Sequence, residues 1–532
     1  MHTDRSRLCL MVCLVVLVPS FVGVQANPFR NVKDFGAVAN GTTKDTAAIA
    51  RAIDDAARAG GGTVYFPAGQ YLTGPIHLKS NITLHLDAGA VLRFSEDFDD
   101  YLPMVKSRWE GLECTNFSPQ IYAYQAENIA IVGRGTIDGQ GKVWWDSYQR
   151  NRAAAEDAER IARVARYVEM FKEKNKDALG YAYFGQKGWF LRPPMIQPVE
   201  CRRVRIEGVH LKNPPFWTCN LVYCDDVTVT GISIKNPAGS PNTDGINPDS
   251  CRNVHISDCH ISVGDDCITI KSGRDEDGRR VGRPCENITV TNCTMLDGHG
   301  GVVIGSEMSG GVRKVTISNC VFDGTDKGIR IKTTRGRGGA VEDIRVSNIL
   351  MTNIPIGPIY LNMFYTRAPE EPLSDRTPAF RNLHFSNITV KGAPVAGYIL
   401  GLPERPVENV TFTDLNIDAE TGFQCKDAQG IAFHDVTIDT QKGPALTCVN
   451  TRNLEIDGFR TGKAHADAAV IDLTDVQGVY IHGCWAGPET GMFLSLKGSA
   501  SRDVVLQANY LRQAQAPVVV DETVPASALR KE

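Results

Sequence analysis

The most regular feature of the chain is a short alternation of apolar and polar positions that returns along most of its length. Each copy has one or two polar residues, then apolar residues at every second position, and then Asn, Asp or Gly. Apolar residues at every second position are typical of a β-strand with one buried face. Clear copies begin at Arg202, Asp225, Arg252, Glu286, Arg313, Glu342, Arg381 and Glu408, and weaker ones at Asn81, Glu127, Gly430, Asn453, Gly478 and Asp503.

The interval between copies predicts the architecture. The first apolar positions are 23 residues apart from Val204 to Val227, 27 from Val227 to Val254, and 34 from Val254 to Ile288. An interval of about 20 to 30 residues is too short for a βαβ unit and indicates one solenoid coil per repeat. The 34-residue interval predicts a loop inserted at 273–284. Because the Leu-x-x-Leu-x-Leu pattern of leucine-rich repeats is absent, and an up-and-down barrel would not repeat a fixed phrase, we predict an all-β parallel β-helix.

Two regions of the chain predict helices instead of coils. A solenoid needs covered ends, and Asp45 predicts the start of an N-terminal capping helix that ends before the glycines at 60–62. From Arg150 to about Lys176 the chain is charged and Ala-rich, with apolar residues at helical spacing. This pattern predicts a helix on the outside of the solenoid, within an insertion of about residues 146–190. The insertion either only packs there or narrows a substrate cleft.

The N-terminus has the pattern of a secretory signal peptide. Arg5 and Arg7 precede an apolar run at 8–24, and the run leads into a small-residue cleavage pattern that ends at Ala26. We therefore expect residues 1–26 to be removed, leaving a single mature domain at 27–532 that is secreted or periplasmic. A membrane anchor is the alternative, but the run is short and lacks a stop-transfer flank. No later segment approaches about 18 uninterrupted apolar residues, so we expect no membrane association.

Charge and cysteine content exclude several classes of function. A formal net charge of -4 argues against binding nucleic acid, whose backbone requires a basic face. Thirteen of the 15 cysteines follow the signal; an oxidising compartment would permit disulfides, but the number is odd and the spacings define no pairs. No Cys-x-x-Cys pair suggests zinc or redox chemistry. Several cysteines recur at equivalent places in the repeat, so we expect buried small hydrophobes, no metal and no cofactor.

Four polar clusters interrupt consecutive central coils. Because they are about one coil apart, we expect them to stack on one face of the solenoid, with Arg330 and Lys332 leaving the same side of one strand. An Asp in a turn, or an Arg-x-Lys on a strand, has an ordinary structural explanation when taken alone. Four such clusters at coil spacing do not. The clusters are Asn242-Thr243-Asp244-Gly245, Gly264-Asp265-Asp266, Gly298-His299-Gly300 and Arg330-Ile331-Lys332.

These residue types suit hydrolysis of a glycosidic bond beside an acidic sugar. The reaction needs one carboxyl group that protonates the leaving oxygen and one carboxylate that activates water or attacks carbon. Three aspartates within a few ångströms repel, so at least one should have a raised pKa and stay protonated. His299 could tune or orient that proton. Arg330 and Lys332 would bind a uronate carboxylate, the Arg through two parallel hydrogen bonds.

The four clusters resemble the signature motifs of glycoside hydrolase family 28, the polygalacturonases. All four are present in order and without substitution, and the resemblance extends from residues 32–37 onward, most clearly over 192–365. It implies a right-handed parallel β-helix that hydrolyses α-1,4-galacturonosidic linkages in pectin or polygalacturonate with inversion. Asp265 would be the general acid, Asp244 and Asp266 would activate the water, and His299 would support the acid. Inversion places acid and base about 6.5–9.5 Å apart.

The resemblance also implies how the substrate binds. Arg330 and Lys332 would bind the galacturonate carboxylate, and Asn242 in the first cluster would also contact the sugar. The family places a tyrosine near the reacting sugar about one coil later. Tyr360 matches that position best, although Tyr365 is close enough to be an alternative. We expect a monomer acting on a pectic polysaccharide or oligogalacturonide.

The neighbouring sequence resembles bacterial members, many of which are exo-acting. Glu307 follows His299 by a few residues and could line a neighbouring subsite. Aromatic residues around the insertion could close one end of the groove, which favours an exo-acting enzyme, or they could simply pack the insertion onto the solenoid. These aromatic residues are Trp144, Trp145, Tyr181, Tyr183, Phe184 and Trp189.

Three other functions are compatible with the same fold. The first is a rhamnogalacturonan or xylogalacturonan hydrolase. The second is a pectate lyase, which would need a calcium site and a basic residue for β-elimination. The third is a non-catalytic carbohydrate-binding solenoid, which fold alone would leave open. The coils after about Gly401 carry no recognisable catalytic motif, and we assign them to structure.

Overall fold

The computed structural model describes residues 29–153, 158–180 and 191–531. The predicted signal peptide at 1–26 lies outside them, as do Tyr181, Tyr183, Phe184 and Trp189. Within the described ranges, no helix combines the length and the apolar character that crossing a membrane requires.

Nearly all the strands join into one sheet that winds around a continuous core, with each strand parallel to its equivalent one coil away. In chain order, the described strands are β1 Phe29–Asn31, β2 Asn40–Lys44, β3 Gly62–Phe66, β4 Gly69–Thr73, β5 Ile76–Leu78, β6 Ile82–Leu86, β7 Ala90–Phe94, β8 Val105–Trp109, β9 Leu112–Asn116, β10 Ile121–Tyr124, β11 Glu127–Gly133, β12 Thr136–Asp138, β13 Ile196–Val199, β14 Arg202–Glu207, β15 His210–Lys212, β16 Cys219–Val222, β17 Asp225–Thr230, β18 Ser233–Lys235, β19 Ile246–Asp249, β20 Arg252–Ser257, β21 His260–Ser262, β22 Asp266–Ile270, β23 Cys285–Thr291, β24 Thr294–Leu296, β25 Gly300–Ile304, β26 Val312–Asp323, β27 Lys327–Lys332, β28 Ala340–Thr352, β29 Gly357–Asn362, β30 Ala379–Leu400, β31 Val407–Thr440, β32 Leu446–Asp457, β33 Ala469–Thr474, β34 Gln477–His482, β35 Thr490–Lys497, β36 Arg502–Gln507, β37 Ala514–Val520 and β38 Leu529–Lys531.

The strand register confirms the intervals read from the sequence. Val204 pairs with Val227, Val227 with Val254, and Val254 with Ile288. Equivalent apolar residues therefore stack one coil above another in the core, which makes the fold a right-handed parallel β-helix, the hand that parallel crossovers almost always take. The predicted insertion at 273–284 is not only a loop, because it contains a short helix at Asp275–Val281.

The Asn, Asp or Gly in each repeat has a conformational cause. Asn253 and Asn287 have φ angles of 57° and 59°, in the left-handed region that Asn and Asp tolerate better than other side chains. Their side chains also join successive coils, since Nδ2 of Asn287 donates to Oδ1 of Asn253 at 3.0 Å. The turn residue thus bends each coil and links it to the next.

The thirteen cysteines among the described residues are all buried and free. They follow the coil register: Cys425 pairs with Cys448 one coil later. The prediction that they act as small core residues is confirmed.

The N-terminal cap is the predicted helix, α1 at Thr46–Arg58. Asp45 precedes it and its carbonyl accepts from the N–H of Ile49 at 3.0 Å, but its side chain makes no hydrogen bond to the helix. Its carboxylate instead accepts from the backbone N–H groups of Val38 and Ala39, at 2.7 and 3.1 Å. Asp45 therefore stabilises the turn before the helix, where two backbone N–H groups would otherwise be unpaired.

The insertion contains two described helices, α2 at Lys142–Ala153 and α3 at Ala158–Asn175. Helix α3 lies within the predicted range of 150–176 and confirms a helix there, whereas the helical residues at 142–149 were not predicted because helix formation there depends on tertiary packing. Trp144 is 1% exposed, and its ring stacks on Phe98 at 3.9 Å. The expected packing outside the solenoid is confirmed by a second apolar cluster, which includes Tyr101, Trp109, Phe117, Trp144, Val168, Phe171, Phe216 and Trp217.

One element of this outer layer was not predicted. Strands β8 and β9 form an antiparallel hairpin, separate from the solenoid sheet. Trp109 of this hairpin stacks on Phe216, with ring centroids 5.3 Å apart. The hairpin therefore covers the same side of the solenoid as the two insertion helices.

Candidate active site

The four polar clusters lie on consecutive coils of one face, as predicted. Strands β19, β22, β25 and β27 are sequential neighbours in the sheet. Asp266 pairs with Gly300, and Val303 pairs with Arg330. The first three clusters lie at or just before the start of their strands, and Arg330–Lys332 forms the end of strand β27, so the solenoid brings them together without any special loop.

The three aspartates form one tight group. One carboxylate oxygen from each of Asp244, Asp265 and Asp266 lies within 4.8 Å of the other two. Asp244 is 3% exposed, and its Oδ2 accepts hydrogen bonds from Asn247 and Thr269, both at 3.4 Å. Such a group could also hold a cation, so the expectation of no metal stays a prediction.

The pKa of Asp244 is raised well above its usual value. Burial is the main cause, and the negative charge of Asp265 adds to it, outweighing the opposite effect of Lys271. This environment agrees with the expectation that one aspartate of the group has a raised pKa, and its protonation stays a prediction.

Asp265 and His299 share a proton. Nδ1 of His299 lies 3.3 Å from Oδ1 of Asp265. Burial raises the pKa of Asp265, but the hydrogen bond from His299 and the charge of Lys332 outweigh it, so its net pKa is lowered. The same hydrogen bond raises the pKa of His299. This one contact contributes to both shifts, and the two groups can exchange a proton across it.

Asp266 is paired with the cations of the fourth cluster. Nζ of Lys332 donates to its Oδ2 at 2.8 Å, and Nη1 of Arg330 lies 3.8 Å from its Oδ1. Oδ1 is buried and makes no hydrogen bond to any described residue. A carboxylate balanced by Lys332, with one free acceptor oxygen, can take a proton from water.

Two tyrosines are candidates for the position beside Arg330 and Lys332. The ring of Tyr365 lies 5.4 Å from the Arg330 guanidinium and 5.2 Å from the Lys332 ammonium. Tyr360 is the strand partner of Arg330 one coil later and stacks on Tyr398 at 5.2 Å. Tyr365, the alternative considered from the sequence, is thus the tyrosine in contact with both cations.

Comparison with known proteins is decisive for the family. A family model described as glycosyl hydrolases family 28 matches residues 185–437, and one described as rhamnogalacturonase A/epimerase, pectate lyase-like, matches 29–146. A probable polygalacturonase from Vitis vinifera is 30% identical over 414 residues, 75% of this chain and 77% of that protein. The chain belongs to glycosyl hydrolase family 28. It is therefore a glycoside hydrolase.

Two bacterial members of family 28 are also similar to this chain. An endo-polygalacturonase from Pectobacterium carotovorum is 29% identical over 398 residues, covering 72% of this chain and 86% of the relative. The solved structure of a hyperthermoactive exopolygalacturonase from Thermotoga maritima has a TM-score of 0.66 and 35% identity, covering 74% of this chain and 90% of that chain. Both modes of action thus occur among the similar proteins.

Beside the family 28 clusters lies a buried ion pair that the sequence reasoning only half identified. Glu307 is 8% exposed, and its carboxylate accepts from Nζ of Lys271 at 2.9 Å. Burial raises the pKa of Glu307, but the charges of Lys271 and Arg337 outweigh it, so its net pKa is lowered. Nζ of Lys271 also lies 4.7 Å from the ring centroid of Trp217. The predicted subsite role of Glu307 stays a prediction. Its carboxylate is already bonded to Lys271.

Sequence reasoning missed Lys271 and Arg192. Lys271 directly follows strand β22, so its position just after the second cluster was a usable signal. Arg192 precedes Asn242 by 50 residues, yet its Nη2 donates to Oδ1 of Asn242 at 2.8 Å. No local pattern in a family 28 sequence links residues that far apart.

Proposed function

We propose that this family 28 hydrolase cleaves α-1,4-galacturonosidic linkages of polygalacturonate from a chain end, by an inverting acid/base mechanism. The observation that carries the proposal is the contact between Asp265 and His299 at 3.3 Å, beside Asp266, which accepts a hydrogen bond from Lys332 at 2.8 Å. The names of the similar proteins, exopolygalacturonase and endo-polygalacturonase, support the substrate.

The cations support an acidic sugar at the point of cleavage. Arg330 and Lys332 are largely buried, with side chains 14% and 8% exposed. A uronate carboxylate would accept hydrogen bonds from the planar Arg330 guanidinium, whereas a neutral sugar would leave its charge without a partner. The aromatic face of Tyr365 beside them would pack against the sugar ring.

The proposed reaction has two proton transfers. The Asp265–His299 pair gives its proton to the departing glycosidic oxygen, while Asp266 takes one from a water whose oxygen bonds to the anomeric carbon. The products are two shorter saccharides, each with a free hydroxyl at the former linkage. Asp244, which keeps its proton, would help to orient that water.

The carboxyl separation by itself does not favour inversion. Inverting enzymes usually hold acid and base about 6.5–9.5 Å apart and retaining enzymes about 5–5.5 Å apart, whereas here the nearest oxygens lie within 4.8 Å. Inversion is supported instead by the state of each carboxyl. Asp244 keeps its proton and Asp266 is bonded to Lys332, so both are poor nucleophiles, yet Asp266 can still accept a proton from water.

The hairpin β8–β9 supports attack at a chain end. Its tip reaches the coils of the active site, where the backbone N–H of Arg274 donates to the carbonyl of Gly111 at 3.0 Å. Glu110 at the tip also forms an ion pair with Arg274 at 3.3 Å. A polymer that follows the face past Lys271 toward the N-terminal coils would collide with this hairpin, so a chain end fits better than a chain interior.

The test is a time course on polygalacturonate in EDTA, with an Asp265→Asn control. We expect a saturated short product alone from the first time point, and a loss of about 10²–10⁴-fold in the control. A ladder of oligomers would make the enzyme endo-acting, and an unsaturated product would make it a lyase. No product from the folded protein would overturn the substrate assignment. Proton NMR of the first product reads the anomer, and an α-anomer would overturn inversion.

Because pectic polymers lie outside cells, we also propose that the mature chain works outside the cytoplasm. N-terminal sequencing of protein recovered from the periplasm or medium is expected to begin near Asn27. A chain that keeps residues 1–26 would overturn this.

A further inference from the structure

Arg192 connects the helical insertion with the catalytic coils. It lies just before strand β13 and is 3% exposed. Its guanidinium is held between two rings, 4.0 Å from the centroid of Tyr148 on helix α2 and 4.9 Å from that of Phe216. Packing between the two rings therefore sets the plane of the guanidinium independently of its hydrogen bonds.

The same guanidinium forms two hydrogen bonds to the first cluster. Nη1 donates to the carbonyl of Pro241 at 2.7 Å, and Nη2 donates to Oδ1 of Asn242 at 2.8 Å. The backbone of Asn242 is in the left-handed region, with φ at 53°. A planar fork that binds both a carbonyl and the next side chain holds that turn in one geometry.

The bond to Oδ1 decides which end of the Asn242 amide faces the acid. With Oδ1 occupied by Arg192, Nδ2 points toward Asp265 and lies 3.5 Å from its Oδ2. The opposite orientation would place a carbonyl oxygen against a carboxylate. Without the guanidinium, only the longer contact with Asp265 would oppose that flip.

Arg192 also acts on the aspartates through its charge. Burial lowers its pKa to about 10, so it stays cationic wherever a carboxylate-based enzyme works. Its charge interacts with both Asp265 and Asp244. Removing it should therefore raise the pKa of both carboxyl groups, in addition to freeing Asn242.

We propose that Arg192 is a positioning residue for the general acid, which it orients through Asn242 and ties to the helical insertion through Tyr148. The inference rests on the proposed function of this site. It predicts that part of the catalytic rate depends on a side chain that does not touch the sugar.

The experiment compares Arg192→Met, Arg192→Lys, Asn242→Ala and the Arg192→Met/Asn242→Ala double variant on polygalacturonate. We expect Arg192→Met to lower kcat by at least about tenfold, since small misplacements of catalytic groups are costly, with KM changed less than about threefold. The basic limb of the pH profile of kcat/KM should move to higher pH, because the acid Asp265 loses a nearby positive charge. At the pH optimum of each variant, the double variant should be no slower than Asn242→Ala within about twofold, since the two residues orient the acid through one contact.

Arg335→Met is the matched control. Arg335 is a buried guanidinium that binds Glu404 through two hydrogen bonds, at 2.6 and 2.9 Å, away from Asn242. It reports the stability lost when a buried arginine is removed, without reaching the acid. We expect it to lower the unfolding temperature and to leave the pH profile unchanged.

Two results would overturn the inference while the wild type is active. The first has two parts: the pH profile of kcat/KM in Arg192→Met is the same as in the wild type, and the losses in kcat of Arg192→Met and Asn242→Ala multiply in the double variant. A purely structural anchor would produce this result. If Arg192→Met does not fold, Arg192→Lys decides, because it keeps the charge but not the fork. We expect it to lose at least about fivefold in kcat, and wild-type kcat would overturn the proposal. An inactive wild type would instead overturn the proposed function.

Discussion

At the residue scale, neighbouring side chains give three chemically identical carboxyl groups different states. Burial and a neighbouring carboxylate raise the pKa of Asp244 well above its usual value, whereas Asp266 is bonded to Lys332 at 2.8 Å. Asp265 shares a proton with His299. Separate environments within a few ångströms are how two carboxyl groups of one site take acid and base roles.

The first prediction concerns His299. The acid must be protonated, so activity should be present below the pKa of the Asp265–His299 pair and lost above it. Because His299 has a raised pKa, we expect the basic limb of kcat/KM in the wild type above pH 6.5. In His299→Asn the proton resides on the carboxyl alone, so the limb should move to lower pH, with a loss at pH 7 of about 10-fold or more. An unshifted limb in the variant would contradict the shared proton.

The second prediction concerns the buried Lys271–Glu307 pair. Glu307→Gln leaves the Lys271 ammonium buried without a carboxylate, which should cost about 3–5 kcal/mol of unfolding free energy. The lowered pKa of Glu307 means that its contribution is fully present above its ordinary pKa of 4.5 and is lost as pH falls toward the folded value. Urea unfolding at pH 7 and near pH 4 should therefore show a smaller difference at the lower pH.

Glu404→Gln is the control for this pair. The carboxylate of Glu404 is 22% exposed, against 11% for Glu307, so water can replace more of its hydrogen bonds. We expect a smaller loss of stability than in Glu307→Gln. Equal losses would show that the burial of Lys271 is not the cause.

At the element scale, a short hairpin decides what shape of substrate can reach the carboxylates. Strands β8 and β9 belong to no coil, yet their turn contacts two active-site coils. A Cβ on Gly111 would lie 3.0 Å from the Arg274 nitrogen and 3.0 Å from Cβ of Glu307. The hairpin can pack this closely because Gly111 at its tip has no side chain.

The third prediction uses that glycine. Gly111→Val should push the tip away from Arg274 and Glu307 and open the groove, so oligomers should appear beside the short product in the early time course. Gly111 also has φ at 79°, so backbone strain needs its own control. Gly231→Val supplies it, since φ there is 62° and a Cβ would meet nothing within 4 Å. Unchanged products in a folded Gly111→Val protein would show that the hairpin does not determine the product.

At the scale of the whole molecule, one continuous core runs through the solenoid, and each coil is buried by its neighbours. Cysteines contribute to it as small apolar residues, and the thirteen in the described part of the chain are buried without disulfides. Such a core is stabilised by stacking between coils and not by covalent cross-links.

The fourth prediction tests that description of the core. In the native mature protein, an aromatic disulfide reagent should modify fewer than about one thiol, because buried thiols are out of its reach. In denaturant all thirteen should react. A reducing agent should leave the unfolding temperature unchanged. Fewer reactive thiols after unfolding would reveal disulfides formed on secretion.

The sequence by itself determined the coil register, the N-terminal cap and the four stacked clusters. Each of these depends on a pattern repeated within one coil: apolar alternation forms the strand, and Asn or Asp at the left-handed turn bends it. Parallel pairing then aligns Val204 with Val227 and Asp266 with Gly300. Residues at the same place in successive repeats are therefore neighbours in space, and their sequence spacing is enough to place them.

Only the tertiary structure decided the hairpin, the helix that begins at Lys142, and the groups around the aspartates. Arg108 of the hairpin binds Asp249 across 141 residues, and Arg192 reaches Asn242 across 50. Trp144 of helix α2 is buried because Phe98 packs against its ring. Contacts between segments outside the repeat have no fixed spacing, so their free energy depends on a geometry that exists only after the solenoid has formed.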